Sequence, residues 1–186
     1  MSQAQSKIIV GITGYKQSGK NTVSRFITER FLGWDVREIG FAEPGKKEVA
    51  EILGTTLEHL EANKKHPLVR HVYQWWLNDF VKEVRGKDVW VLALAERVNK
   101  LQANGKPLLV VITDVRFPHE ARWLQDSGGY LIRVDRYDRN EDPHPSEVEI
   151  DNIHEVDARI SNKGTLNDLR RECLWVSQWI KERYKV

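Results

Sequence analysis

The sequence predicts an α/β sandwich on a mostly parallel sheet, and three observations carry that prediction. Short apolar, β-branched runs recur at Lys7–Thr13, Val36–Phe41, Leu108–Thr113 and Tyr130–Val134, and unbroken runs of this length suit strands buried on both faces. Between them lie segments whose apolar residues fall three to four apart, the spacing of amphipathic helices. The first run ends in glycines and leads directly into such a helix. Strands alternating with helices imply a doubly wound, parallel sheet.

Each element has its own justification. Lys7–Thr13 is the first strand, and Val23, Phe26, Ile27 and Phe31 form the inner stripe of the helix after it. After the second strand, Pro44 suits the first turn of a helix with the face Val49, Ile52 and Leu53. Leu57–Lys65 reads as short and polar. Pro67–Val84 is a helix with Val69, Val72, Trp76 and Phe80 inward, ended by Gly86. Asp88 is the candidate N-cap of a helix to about Gln102, with Val91, Leu94, Ala95, Val98 and Leu101 inward.

Leu108–Thr113 is the most strand-like run and is expected at the sheet centre, with Asp114 at its C-terminal end. A helix over Pro118–Ser127, closed by Gly128-Gly129, precedes the strand Tyr130–Val134. The charged, proline-bearing stretch 136–150 is the candidate for a mobile lid. Asp157–Ser161 is a short last strand, and Thr165 with Asp168 opens a C-terminal helix to about Tyr184.

Composition narrows the function classes. The 186 residues, 40% hydrophobic, fit one domain with its own core. With 29 Lys and Arg against 27 Asp and Glu, the charge is too balanced for a protein whose main partner is a nucleic acid. The single Cys173 excludes an internal disulfide framework and reads as a buried, inert thiol in a reducing compartment. No membrane span or secretory core can be drawn, so the expected setting is cytoplasmic. Seven Trp call for burial or a stacking role.

Gly14-Tyr-Lys16-Gln17-Ser18-Gly19-Lys20-Asn21-Thr22 follows the first strand and opens the first helix. This is the context of the phosphate-binding pattern G-x-x-x-x-G-K-[ST]: loop amides and a helix N-terminus cradle phosphates, the lysine neutralises them, and the hydroxyl holds Mg²⁺. The pattern departs at Asn21, since the hydroxyl arrives one residue late, at Thr22. Thr22 or Ser18 would then serve the cation, or a remote carboxylate acting through water. The fold expected is a P-loop NTPase-like three-layer sandwich, and the ligand ATP.

Ligands of parallel sheets sit beyond the C-terminal strand ends, which places Asp114 and Arg116 in the same cleft as the loop. A carboxylate can position Mg²⁺ or an attacking oxygen, and a guanidinium can grip a phosphate. Arg133 lies within its strand and reads as structural, while Arg136 and Arg139 lie past it, with Arg136 the preferred lid arginine. Arg70 and Gln74 share a helix face and offer a charged fork and an amide. Trp75, Trp76 and Trp90 can stack on a base or pack in the core.

Other patterns are set aside. His144, Glu147, His154 and Asp157 lack the compact spacing of a metal cage. Asn162-Lys163 lacks the aspartate of a guanine-reading motif, and Lys46, Lys47, Lys64 and Lys65 read as solvated helix faces.

Taken in order, the phosphate loop, Phe41-Ala42-Glu-Pro44, Asp114-Val-Arg-Phe-Pro118-His-Glu-Ala121, His144-Pro-Ser-Glu147 and Asn162-Lys-Gly-Thr165 resemble the bacteriophage-type deoxynucleoside monophosphate kinases. The resemblance spans nearly the whole chain. It implies ATP-dependent phosphorylation of deoxynucleoside monophosphates with Mg²⁺, action in the host cytoplasm for a phage-encoded enzyme, and often a homodimer. It puts Lys20 and the loop amides on the ATP phosphates, Phe41 and Ala42 beside the acceptor, and Arg70 and Gln74 on its phosphate or base. Asp114 and Arg116 fall at the acceptor end, with Arg136 closing from the lid. Family members commonly carry Asp where this chain has Asn21. Two other classes fit the loop alone: a kinase of another small acceptor such as a coenzyme precursor, and a non-enzymatic ATP-binding or DNA-packaging module.

Overall fold

The computed structural model describes residues 7–101, 105–136 and 145–184, without the side chains of residues 145 and 146. The chain divides into two compact units, one of Met1–Ile39 with Gln102–Val186 and the other of Gly40–Leu101.

The first unit is built on five strands: β1 (Lys7–Thr13), β2 (Asp35–Ile39), β3 (Leu108–Val115), β4 (Tyr130–Asp135) and β5 (Ala158–Ser161). They pair in the order β2-β3-β1-β4-β5, every pair parallel. Period-two alternation divides their apolar residues between two faces. Ile8, Val10 and Ile12 join Leu109, Val111, Ile132 and Val134 against Val23, Phe26, Leu169, Cys173 and Val176, which belong to α1 (Lys20–Thr28) and to the long helix Leu166–Tyr184. On the opposite face, a Cβ at Gly11 would meet Leu124 at 2.3 Å, so glycine admits the helix Pro118–Asp126. Helices on both faces make this unit the expected three-layer sandwich. Cys173 is buried, and burial pushes its thiol pKa up to about 12, which makes it inert at neutral pH.

The sheet refines one expectation. The middle position belongs to β1, with the strand containing Leu108–Thr113 beside it and paired on both sides, because two strands, β4 and β5, add on the far side of β1 while β2 alone adds beyond β3. Asp114 is the penultimate residue of β3, at its C-terminal end as expected.

The second unit is helical: α2 (Glu43–Ile52), α3 (Leu57–Ala62), α4 (Pro67–Gln74), a π-helical turn (Trp75–Phe80), α5 (Val81–Arg85) and α6 (Val89–Lys100). Thr56 caps α3, its hydroxyl accepting the His59 N–H at 3.2 Å. The stretch read as short and polar therefore holds a helix. Asp88 stands at the N-cap of α6, but its side chain makes no capping bond.

The inward faces also differ. Tyr73, Leu77 and Val81 are buried, whereas Phe80 is exposed and Val69, Val72 and Trp76 are half-buried. The extra residue of the π turn rotates the helix surface away from a 3.6-residue stripe. In α2 the buried residues are Gly45, Val49 and Ala50, while Ile52 and Leu53 are exposed. Gly45 explains this, because a Cβ there would meet Leu77 at 2.3 Å and Trp90 at 2.5 Å, so α2 turns its smallest residue toward its neighbours. Trp90 is buried and donates its indole N–H to the Leu77 carbonyl at 2.8 Å.

The remaining elements of the first unit are α7 (Pro118–Asp126), α8 (Pro145–Val148), a 3₁₀ turn (Glu149–Asn152) and α9 (Leu166–Tyr184). Thr165 and Asp168 bond reciprocally at the start of α9, with Thr165 N–H on Asp168 at 2.8 Å and Asp168 N–H on the Thr165 hydroxyl at 3.2 Å. Of the lid candidate, residues 137–144 lie outside the described residues, Arg139 and His144 among them. Among the described residues no helix is long and apolar enough to cross a membrane.

Candidate active site

The loop between β1 and α1 takes its shape from three residues in left-handed backbone: Gly14 at φ 140°, Gln17 at φ 65° and Gly19 at φ 99°. Glycine is required at the first on two counts, since a Cβ on Gly14 would also lie 2.5 Å from the Val134 carbonyl oxygen. Ser18 N–H closes the turn on the Tyr15 carbonyl at 3.1 Å. No side chain caps the N-terminus of α1, so its leading N–H groups and the helix dipole favour an anion at the loop.

Two hydroxyls sharpen that picture. Thr13 Oγ1 and Ser18 Oγ are buried without a hydrogen-bond partner among the described residues. A buried, unsatisfied hydroxyl is costly, and a bound phosphate or hydrated cation would satisfy one at this position. Among the other loop residues, Lys16, Gln17 and Asn21 are exposed and Thr22 is half-buried.

Lys20 projects back over the loop, its ammonium donating to the carbonyls of Gly14 at 2.5 Å and Tyr15 at 2.8 Å. Burial, and next the Arg116 guanidinium, lower its pKa to about 8, while Glu147 and Asp114 pull the other way. Lys20, Asp114 and Arg116 thus stand in one electrostatic neighbourhood. The structure also ties Arg136 to the loop, its guanidinium donating to the Gln17 carbonyl at 3.3 Å.

Arg116 is held at its main chain. Buried Glu120, on the first turn of α7, accepts the N–H of Arg116 at 2.8 Å and of Phe117 at 3.1 Å. Its guanidinium pairs with the carboxylate of Glu147, whose other oxygen accepts the Lys16 N–H at 2.8 Å. From β5's C-terminal end, Asn162 donates its amide to the Ser18 carbonyl at 2.8 Å. Sequence reasoning gave Glu120, Glu147 and Asn162 no role, although all three stand in the motifs that carry the family resemblance. Nothing in a linear sequence brings residue 147 to residue 16.

Of the other candidates, Phe41, Ala42, Arg70, Gln74, Trp75 and Trp90 belong to the helical unit. Phe41 is buried, Ala42 precedes α2, and Arg70 and Gln74 are half-buried, one turn apart on α4. Trp75 is 45% exposed and packs against Phe80, with ring centroids 5.1 Å apart. Trp90 is a core side chain with its one donor satisfied, which corrects its placement among base-stacking residues.

Comparison with known proteins bears on the fold and the family. The solved gluconokinase from Sinorhizobium meliloti has a similar fold, with a TM-score of 0.54, 15% identity and 98% of each chain covered. A mimivirus protein described as a putative deoxynucleotide monophosphate kinase is 29% identical over 179 residues, 87% of this chain and 91% of its own. The family model for deoxynucleotide monophosphate kinase matches residues 38–173, a span containing Asp114, Arg116, Glu120, Glu147 and Asn162 but beginning after the phosphate loop. Geometry at the loop and sequence over the rest of the chain lead to one conclusion: the chain belongs to the deoxynucleotide monophosphate kinase family, a family of phosphotransferases.

Proposed function

We propose that this protein transfers the terminal phosphoryl group of ATP to a deoxynucleoside monophosphate. An oxygen of the acceptor phosphate attacks the γ-phosphorus, the bond from that phosphorus to the β,γ-bridging oxygen breaks, and ADP and a deoxynucleoside diphosphate leave. The observation that carries this reading is the loop itself: Lys20 folded over it, Arg116 joined to its Lys16 N–H through Glu147, and the Ser18 hydroxyl buried with no hydrogen-bond partner among the described residues.

The acceptor phosphate is already an anion, so the reaction needs positioning and charge stabilisation rather than a strong base. The loop from Gly14 to Thr22 holds the ATP phosphates in this reading, through the uncapped N–H groups at the start of α1, and Lys20 exchanges two carbonyl partners for phosphate oxygens. Arg116 orients the acceptor phosphate, and Arg136 adds positive charge from beside Gln17. Ala42, Arg70, Gln74 and Trp75 are the residues that meet the base in this reading.

The oxygen donors at the loop, the Asp114 carboxylate and the Thr22 hydroxyl with Ser18 beside them, suit a hard cation such as Mg²⁺. When bound, that ion neutralises charge on the phosphates. Asn21 is exposed, and in this reading it leaves the cation to those oxygens.

The test mixes the protein with ATP, Mg²⁺ and each deoxynucleoside monophosphate in turn and follows ADP through a coupled assay. ADP formation stimulated by one or more of them is expected. Stimulation by none, or only by a non-nucleotide acceptor, rejects the reading.

A further inference from the structure

Glu147 is buried, with 4% of its side chain exposed. An ionised carboxylate at such a site needs strong partners. Its partners are the Lys16 N–H of the phosphate loop, 2.8 Å from one oxygen, and the Arg116 guanidinium on the other. The element that carries it is pinned from several sides. Ile150 and Ile153 are buried, Tyr15 donates its hydroxyl to Asp151, and Arg133 donates to the Ile150 carbonyl at 3.2 Å. Arg133 is itself fixed by Asp135 at 3.0 Å.

The backbone behind Glu147 is therefore anchored, and so is the backbone behind Arg116, through Glu120. With Glu147 buried and Arg116 half-buried, this ion pair contributes little net stability, because the cost of desolvation offsets the attraction. What such a pair fixes is direction. We propose that Glu147 is the positioning residue that holds the Arg116 guanidinium at the phosphate loop, so that the acceptor-side arginine is aimed before substrate arrives. Pairing with Arg116 and the loop amide also compensates the Glu147 charge, which alone would repel ATP phosphates. This inference rests on the phosphoryl-transfer reading above.

The test is a double-mutant cycle in the full chain, with ATP, Mg²⁺ and the deoxynucleoside monophosphate that the wild type turns over fastest. Glu147→Gln keeps the size and removes the charge. It should lower kcat about 10- to 100-fold, as a small misplacement of a reacting group does, and leave the ATP KM within about twofold. The double variant with Arg116→Ala should be no slower than Arg116→Ala alone, since both remove one arrangement. Wild-type kcat in Glu147→Gln, or losses that multiply in the double variant, overturns the proposal. An inactive wild type speaks against the phosphoryl-transfer reading instead. In that case, or if Glu147→Gln fails to fold, the guanidinium ¹⁵N resonances of Arg116 in the wild type decide. Slow rotation about its Nε–Cζ bond is expected, and rotation as fast as in the exposed Arg122 overturns the proposal.

Discussion

The sheet unit and the helical unit each turn on a glycine, and the two glycines do different work. Gly14 sits at φ 140° with a backbone carbonyl 2.5 Å from where its Cβ would be. Neither the dihedral nor the carbonyl of Val134 can move without disturbing β4. Gly45 sits inside a helix, and its obstacles are the ends of two side chains, Leu77 and Trp90. The first glycine shapes the candidate phosphate loop through the backbone, and the second sets how closely helices pack.

The sharpest way to break that comparison is at the loop lysine. Lys20→Ala should remove about 2–4 kcal/mol of transition-state stabilisation, the cost of deleting one preorganised donor, read as kcat in the coupled ADP assay. Wild-type turnover would deny the loop its role. Next come the glycines. Gly14→Ala should cost about 1–3 kcal/mol in backbone strain and abolish ATP binding, measured by thermal unfolding and by nucleotide titration. Gly45→Ala should cost a similar 1–3 kcal/mol through overpacking while the phosphate loop still binds ATP. Equal loss of ATP binding in both variants would erase the distinction.

The smallest expected effect is a pH dependence. The Lys20 pKa is lowered to about 8, and bound phosphate favours the ammonium and raises it. Binding therefore takes up a proton above that pH, and ATP affinity falls by no more than tenfold per pH unit as pH rises through 8. Titration calorimetry in buffers of different ionisation enthalpy measures the uptake. In the ligand-free protein the sign is reversed. The unfolded chain holds its Lys20 proton up to about 10.5, so stability rises with pH between the two values as the native state sheds the buried charge. Affinity independent of pH across that window would show that Lys20 does not meet the phosphates.

Legibility followed the range of the interactions. The strand, loop and helix from Lys7 to Thr28 could be read because their signals are local: β-branched residues, glycines where the backbone turns left-handed, then apolar residues at helical spacing. The strand Leu108–Val115 was equally plain, yet its place in the sheet was not, because strand order is set by pairing between distant segments. The helices of Gly40–Leu101 were found approximately, but their inward faces were misjudged. A π turn and a single close approach at Gly45 rotate those faces, and neither appears as periodicity.

Local sequence was enough to read the α/β class, the phosphate-loop pattern with its Asn21 departure, and an Asp114-x-Arg116 pair at the C-terminal end of an apolar strand. Each depends on residues within a few positions of one another, where propensity, sterics and spacing act directly. Only the tertiary structure decided that β1 lies at the centre, that Trp90 is core, and that Glu147 joins Lys16 to Arg116. Those outcomes depend on partners from 13 residues apart, as Trp90 and Leu77, to 131 apart, as Lys16 and Glu147, being brought within hydrogen-bond reach by packing, and no local signal encodes such a meeting.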